Sequence, residues 1–513
     1  MYIYKSTGGF VEENKKSISK INIISSLINQ FVALACGIVI PRLMIKSFGS
    51  EIYGATASIT QFLAYITLLE GGIGGVARSV LYKPLANQDM ETVSSIVEEI
   101  KRFFHIIAVI FVIYVLIIAC GFKELSRLSC MNWISSFVLV IVISISTFGQ
   151  YFIGISYSIL LQADRKIYIT NYLSAFTTFF NAIFVILLLR HNCNIIVVKL
   201  ASSIIYFMRP VILLLYSRKK YTLIKRNNIN NHKYLKNKWT GLGQHLAFFL
   251  HSNTDIVMLT ILSNLQSVAI YSIYNMIISH LQSLTISFSS GMEAIYGRFI
   301  AKKEHKELYI SFKSYECILS FVSVVLFSTT LVLIIPFINI YTKGINDTNY
   351  IQPLFAQLMI FSAFSYCLRL PYHSIIIAAG HFKQTSIAAY GEALINIILS
   401  FALVFKYNLV GVALATLIAT WFRFIFYVFY LSQNILFVEI EHFCKRILVN
   451  GICLCINFML GKYITSHFFI NNYFVWSCNG LLVFVIFCCT TLLINLIWFK
   501  SDICLVYNKL VKK

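Results

Sequence analysis

Apolar segments recur along most of the chain, each about 20 residues long and separated from the next by a short polar gap. About 20 apolar residues is the length that an α-helix needs to cross the hydrocarbon core of a bilayer. The pattern predicts about 14 transmembrane helices, at residues 21–45, 51–75, 103–122, 132–156, 168–189, 194–216, 241–262, 267–292, 314–338, 354–378, 384–405, 409–431, 444–465 and 474–498. The predicted fold class is therefore an all-α integral membrane protein.

The first six predicted helices resemble the next six, which indicates an internal duplication typical of transporters. When the fifth and sixth helices are aligned with the eleventh and twelfth, Asn181 falls on Asn396 and Arg209 falls near Arg423. Chance similarity between apolar helices is the alternative explanation, and the matched polar residues argue against it. Because an even number of helices gives both repeats the same orientation, we expect two six-helix repeats in parallel orientation, followed by two C-terminal helices.

This reading divides the chain into five parts. Residues 1–20 form a cytoplasmic N-terminus, 21–216 a first six-helix lobe, 217–240 a basic cytoplasmic linker, 241–432 a second six-helix lobe, and 433–513 two additional helices with a cytoplasmic tail. The polar segments between the helices are too short for a water-soluble domain with a core of its own.

Composition and charge agree with a membrane protein. Hydrophobic residues make up 58% of the chain and charged residues 12%, and the mean hydropathy is +0.77. A formal net charge of +22 would indicate a nucleic-acid partner in a soluble protein. About 30 of the 42 Lys and Arg residues, however, lie in loops on the side of the N-terminus. Because basic loops stay cytoplasmic, both termini are predicted to be cytoplasmic and no nucleic acid is expected.

The basic linker at 217–240 has two interpretations: it contacts anionic membrane lipids, or it only fixes orientation and joins the lobes. The 13 cysteines are scattered through apolar segments without a paired ligand spacing, so neither a metal site nor a cofactor is predicted. His251 and His280 lie mid-span, where packing and titration are both open interpretations. The chain also lacks the phosphate-binding loop of ATP-driven proteins.

Several arginines fall within the predicted helices. An arginine at mid-membrane costs about 2.5–3.5 kcal/mol on insertion scales, so it normally faces a wet cavity or a partner. Arg209, Arg369 and Arg423 lie deep in their helices, and Pro210 and Pro371 beside two of them can expose backbone carbonyls. We expect these arginines to form a cationic surface for phosphate or acidic sugars, because guanidinium binds phosphate oxygens in a fork. Structural ion pairing is the alternative.

Arg42 is a further candidate for this surface, although it lies near a helix end, where snorkelling to the interface is the alternative. Carboxylates occupy the predicted helices as well, and each either pairs with an arginine or takes part in ion coupling through a raised pKa. These carboxylates are Asp255, Glu392 and Glu70. Asn396 shares a helix face with Glu392, and Asn181 is its counterpart in the first lobe; both are candidates for contact with sugar or for bonds between helices.

Three sequence segments carry a family resemblance. They are FGSEIYG at 48–54, LEGGIG at 69–74, and a set consisting of AGHFK at 379–383, EALIN at 392–396 and GVA at 411–413. In this order and at this helix count, the chain resembles Wzx-type polysaccharide flippases. These belong to the multidrug/oligosaccharidyl-lipid/polysaccharide exporter superfamily, which also contains the multidrug and toxin extrusion (MATE) transporters.

The resemblance implies a MATE-like fold and a function in O-antigen or capsular polysaccharide biosynthesis. Its members are taken to move undecaprenyl-diphosphate-linked oligosaccharide repeat units across the bacterial inner membrane by alternating access. A polysaccharide polymerase and glycosyltransferases are the protein partners that it implies.

Two transport alternatives remain open at this point: a MATE cation antiporter of the same fold, and a lipid II flippase. An enzyme of lipid-linked sugars is not expected, because every predicted outer loop is shorter than about 20 residues. A membrane scaffold would leave the duplication and the intramembrane charges without a purpose.

Overall fold

The computed structural model describes residues 5–70, 73–221, 242–289, 292–437, 439–468 and 470–511. Helices account for nearly all of these residues, and no strand occurs within these ranges. The predicted all-α fold class is confirmed. The chain divides into two compact units, Met1–Leu246 and Ala247–Lys513, which we call unit 1 and unit 2.

The described part of unit 1 up to Lys220 contains seven α-helices, a 3-10 helix and a π-helical segment. They are α1 Lys5–Ala64, the 3-10 helix Tyr65–Glu70, α2 Ile73–Ala86, α3 Met90–Ser126, α4 Trp133–Gly149, the π-helical segment Gln150–Gly154, α5 Ile155–Ala163, α6 Ile167–Arg190 and α7 Ile195–Lys220. The remaining helices are α8 Leu242–Leu262, α9 Leu265–Ser289, α10 Met292–Ala301, α11 His305–Tyr341, α12 Pro353–Ala378, α13 Phe382–Asn434, α14 Ile440–Ser466, α15 Tyr473–Trp498 and α16 Lys500–Val511.

Ten helical stretches in the described ranges are long and apolar enough to cross a membrane. Two of them, Lys20–Glu70 and Phe382–Asn434, have 51 and 53 residues, enough for two crossings each. The backbone breaks inside both, at Gly49 with φ 83° and at Asn408 with φ 48°. Left-handed φ is easy for glycine and tolerated by asparagine. Counting each divided stretch as two helices turns the ten stretches into twelve spans. Together with α8 and α9 they account for the 14 predicted helices of a multi-pass membrane protein.

The start of α3 differs from the prediction. It begins at Met90 rather than at residue 103, and Asp89 caps it by accepting a hydrogen bond from the Thr92 amide at 3.0 Å. The added turns bury aliphatic side chains at helical spacing, namely Val93, Ile96, Val97 and Ile100. A hydrophobic-length criterion misses these turns because their other face is charged. The same reason applies to α11, which begins at His305 rather than at 314.

The C-terminal tail contains a helix that the hydrophobic pattern did not predict. Residues 500–511 form α16, which is too short and too polar to resemble a membrane span, yet its Asp502 is buried. The first residues of the predicted linker at 217–240 belong to the last turn of α7, which ends at Lys220. Residues 222–240 lie outside the described part of the chain. The first four residues of the predicted N-terminus also lie outside it.

Gly411 lies just after the break at Asn408 and allows the two segments of α13 to pack closely against each other. A Cβ atom at Gly411 would lie 2.5 Å from the backbone oxygen of Leu403. We expect Gly411→Ala to destabilise unit 2 by about 1–3 kcal/mol, because backbone rather than a flexible side chain must move. The measurement is the thermal unfolding midpoint of the purified protein.

Gly451 on α14 provides the matched control, since a Cβ atom there would meet no atom within 4 Å. Gly451→Ala should leave the midpoint unchanged or raise it slightly, because alanine favours the helix. Equal midpoints for the two variants would contradict the close approach at Gly411.

Candidate functional site

A buried ion cluster in unit 2 combines three of the residues singled out by sequence. Arg369 Nη1 donates to Glu392 Oε1 at 2.7 Å, and Arg423 Nη1 donates to Glu392 Oε2 at 2.6 Å. Glu392 is fully buried, and Arg369 and Arg423 are 5% and 8% exposed. One carboxylate therefore stands between two guanidinium groups. We call this the arginine cluster; its formal charge is one positive unit.

The break in α13 brings these charges together. Glu392 and Arg423 are 31 residues apart, a distance of about 46 Å along an unbroken helix. The break at Asn408 lets the two segments lie side by side, so the side chains meet. Ser263 donates to Asn408 Oδ1 at 2.6 Å, and Asn408 Nδ2 donates to Ser267 at 3.1 Å. These bonds fix the turn to the α8–α9 loop and to the first turn of α9.

Aromatic side chains complete the arginine cluster. Arg423 donates through Nε and Nη2 to the Tyr427 hydroxyl at 2.9 and 2.8 Å, one turn along the same helix. The Arg369 guanidinium lies 4.8 Å from the Tyr366 ring centroid and 5.9 Å from that of Tyr427. Cation–π contact of this kind adds stability to a desolvated guanidinium. The arginines are thus held in fixed positions.

A second polar network surrounds Asp255 on α8. The Tyr271 hydroxyl donates to Asp255 Oδ2 at 2.8 Å, and Thr416 Oγ1 lies 3.0 Å from the same oxygen. Thr416 Oγ1 also accepts from Asn396 Nδ2 at 2.9 Å. Asn396 Oδ1 is buried and has no hydrogen-bond donor among the described residues. Asp255, Tyr271 and Thr416 line a cavity of about 270 Å³, the unit 2 cavity, which Tyr366 of the arginine cluster also lines.

Arg209 on α7 lies in unit 1 and faces a larger cavity of about 730 Å³, the unit 1 cavity. Its Nε donates to Thr177, and its Nη2 donates to the Ser174 carbonyl at 3.1 Å and to Thr178 at 2.8 Å. The guanidinium also lies 4.6 Å from the Tyr206 ring centroid. Neutral groups therefore hold Arg209 in place, in contrast to the carboxylate of the arginine cluster.

The π-helical segment shapes the wall of the unit 1 cavity, and such segments often occur at functional sites. Its first residues, Gln150 and Tyr151, line the cavity together with Glu70, and the Tyr151 hydroxyl donates to the Glu70 carboxylate. A Cβ atom at Gly149 would lie 2.4 Å from the Phe207 ring, so glycine allows α7 to pack closely here. Arg209 follows on the same turn of α7.

The other predicted residues have the following surroundings. Asn181 is buried, and its Nδ2 donates to the Tyr206 hydroxyl at 3.1 Å, next to Arg209. Arg42 on α1 is half-buried. His280 is half-buried, and the side chain of His251 lies outside the described part of the chain. In that part, no group of three or more His, Cys, Asp or Glu residues is placed to hold a metal ion.

A second buried charge cluster, around Arg446, was not among the residues that the sequence singled out. Arg446 on α14 is 1% exposed, and its Nη2 donates to Asp502 Oδ2 on α16 at 2.5 Å. Its Nη1 donates to Asn495 on α15 at 3.2 Å. Its guanidinium carbon lies 3.6 Å from the Phe499 ring centroid. The position of Arg446 in the first turns of a predicted span was the one available signal.

Comparison with known proteins identifies the class of fold. The MatE family profile matches residues 242–402. The lipid II flippase MurJ in an inward-closed conformation has a TM-score of 0.68 at 18% identity, covering 94% of this chain and all of that one. The eukaryotic MATE transporter AtDTX14 has a TM-score of 0.59 at 14% identity, covering 83% of this chain and 97% of its own.

A third structure, the Vibrio cholerae MATE transporter VcmN in the bent form, has a TM-score of 0.51 at 13% identity over 83% of this chain and 99% of its own. No curated protein sequence shows significant similarity to the chain. The chain therefore has the membrane-transporter fold shared by MATE proteins and MurJ. This is the MATE-like fold that the resemblance implied.

Proposed function

We propose that the protein is a flippase that translocates polyprenyl-diphosphate-linked oligosaccharide repeat units across the bacterial inner membrane, with both termini in the cytoplasm. The observation that carries this proposal is the extent of the fold similarity. The lipid II flippase covers 94% of this chain, whereas the eukaryotic MATE transporter covers 83%. The Wzx-type motifs at 48–54, 69–74 and 379–413 favour an oligosaccharide repeat unit as the cargo. The function is transport, without a catalysed reaction.

The arginine cluster supports an anionic headgroup as ligand, because two guanidinium groups share one carboxylate and leave a positive surplus. In this proposal Arg369 and Arg423 bind the diphosphate during transport. Arg42, in unit 1, is a further candidate for contact with an anionic group of the substrate. Arg209, Asn181 and Asn396 contact the glycan. The polyprenyl chain stays among the membrane lipids.

Asp255 is our candidate for ion coupling. Its carboxylate and the Asn396 Oδ1 atom are oxygen acceptors in one network beside the unit 2 cavity. A buried carboxylate can take up and release a proton, and oxygen ligands of this kind also suit a hard metal cation. The same feature also fits a MATE cation antiporter, which is the second candidate function. Glu392 and Glu70 act in this proposal as ion-pairing or hydrogen-bonding carboxylates.

Deletion of the gene in its native host tests the function. We expect surface polysaccharide to disappear while its lipid-linked repeat unit accumulates on the cytoplasmic side, and a plasmid copy should restore display. Unchanged surface polysaccharide would contradict the proposal. Sensitivity to cationic drugs with normal polysaccharide would favour the antiporter, and accumulation of peptidoglycan precursor would favour a lipid II flippase.

Arg209→Gln tests the role of unit 1 in this transport. We expect the variant to reduce display of surface polysaccharide about tenfold or more, since a hydrogen bond to a charged group contributes roughly 1.5–3 kcal/mol. Arg190→Gln, at the exposed end of α6, is the matched control and should transport normally. Membrane levels of both variants are compared by immunoblot. Normal display from Arg209→Gln would exclude Arg209 from the binding surface.

A further inference from the structure

The unit 1 cavity is lined by many hydroxyl groups. Eight serine and threonine residues line it, together with Gln150, Tyr151 and Tyr206. The Thr60 and Thr170 hydroxyls donate to backbone carbonyls of their own helices. A hydroxyl that donates in this way keeps its oxygen available as an acceptor. The cavity therefore offers many hydrogen-bond acceptors close together.

The charges that line the unit 1 cavity balance each other. Arg209 and Glu70 are the charged residues that line it in the described part of the chain. Arg209 uses Nε and Nη2 to hold its place, and its Nη1 makes no hydrogen bond to a described residue. One guanidinium donor group is thus available to a ligand, in a cavity without net charge. A phosphate or a uronate would gain from Arg209 but would be repelled by Glu70.

We propose that the unit 1 cavity binds a neutral sugar ring of the transported glycan. This inference rests on the proposed flippase function and assigns the recognition of one substrate part to unit 1. Ring hydroxyls donate to the Glu70 carboxylate and the serine and threonine oxygens, and they accept from Arg209 Nη1 and the Gln150 amide. The volume of about 730 Å³ lies in the usual range of small-molecule sites, roughly 300–1,000 Å³.

Saturation-transfer NMR on the purified full-length protein tests the inference without requiring transport. The probes are glucose, galactose, N-acetylglucosamine and N-acetylgalactosamine, with glucuronate and inorganic pyrophosphate as charged comparisons. We expect at least one neutral sugar to bind. Glu70→Gln and Gln150→Leu should each weaken that binding about tenfold. The first variant loses a hydrogen bond to a charged group, and the second loses the hydrogen bond of the side-chain amide. Ser146→Ala, a smaller change in the same wall, should weaken it less.

Gln282→Leu is the matched control, because Gln282 lines the unit 2 cavity instead. It should leave neutral-sugar binding unchanged. Absence of binding by every neutral sugar, tighter binding of glucuronate than of glucose, or full binding by Glu70→Gln and Gln150→Leu would each overturn the inference. The deletion experiment decides the flippase function separately, since display of surface polysaccharide can depend on the protein whether or not unit 1 binds the sugar.

Discussion

Glu392→Gln is expected to destabilise unit 2 by about 3–5 kcal/mol, which is the range for breaking a buried ion pair by removing one partner. The reason is that Arg369 and Arg423, 5% and 8% exposed, would then share no negative charge. Glutamine keeps the shape and one acceptor oxygen, so the loss measures charge rather than volume. Equilibrium unfolding in mixed micelles gives the free energy, and the thermal midpoint provides a second measure.

The double variant Glu392→Gln/Arg423→Gln separates charge from packing. It restores the formal charge of the arginine cluster to one positive unit, and we expect it to recover at least half of the lost stability. Glu98→Gln is the surface control, because the Glu98–Lys101 pair spans 3.9 Å with both side chains partly exposed and contributes little. If the double variant is less stable than Glu392→Gln, the cluster acts through packing and the charge argument is wrong.

Arg446→Met is expected to lower the free energy of unfolding by a similar amount, about 3–5 kcal/mol, because Asp502 is 1% exposed and would lose its buried partner. Methionine fills most of the space and cannot reach Asp502 with a donor. Since Asp502 lies on α16, the helix should also detach from its neighbours. Limited proteolysis of the purified protein, followed by mass spectrometry, would show cleavage at residues 500–511.

Two variants sharpen this result. Lys313 lies 3.8 Å from Asp502 and is 22% exposed, so Lys313→Gln should cost less than about 1 kcal/mol and leave α16 protected. In the double variant Arg446→Met/Asp502→Asn the buried charge of Asp502 is removed as well, so stability should partly return. Recovery should be incomplete, because Glu316, 2% exposed and 3.9 Å from Arg446, still loses its arginine. Protection of α16 in Arg446→Met would mean that the ion pair does not hold this helix.

The two arginine-containing clusters have different consequences for function. The arginine cluster lies on α12 and α13, beside the unit 2 cavity through Tyr366, and in our proposal its charge serves ligand binding. The Arg446 cluster connects α14, α15 and α16, the part of the chain that follows the two predicted six-helix repeats. We expect variants of the first to lose transport at normal protein levels when stability is restored, and variants of the second to lose protein from the membrane.

Sequence alone determined the membrane-spanning helices and the all-α fold class. The predicted span at 354–378 starts one residue later than the helix Pro353–Ala378 and ends at the same residue. The predicted span at 474–498 likewise starts one residue later than Tyr473–Trp498 and ends with it. This accuracy has a physical cause: the length of an apolar segment is a local property that the bilayer thickness fixes. Where the buried face is amphipathic, as at the start of α3, the local signal fails because burial there depends on neighbouring helices.

Sequence also identified the charges that need partners, because a charge within a membrane span is costly wherever it lies. Only the tertiary structure decided which partner each charge has. Arg369 and Arg423 share Glu392, whereas Arg209 is held by threonines and a carbonyl, and Arg446 pairs with a residue 56 positions away. Pairing of this kind depends on where the chain breaks and turns back, as it does at Asn408, and a single backbone torsion there decides contacts between residues far apart in sequence.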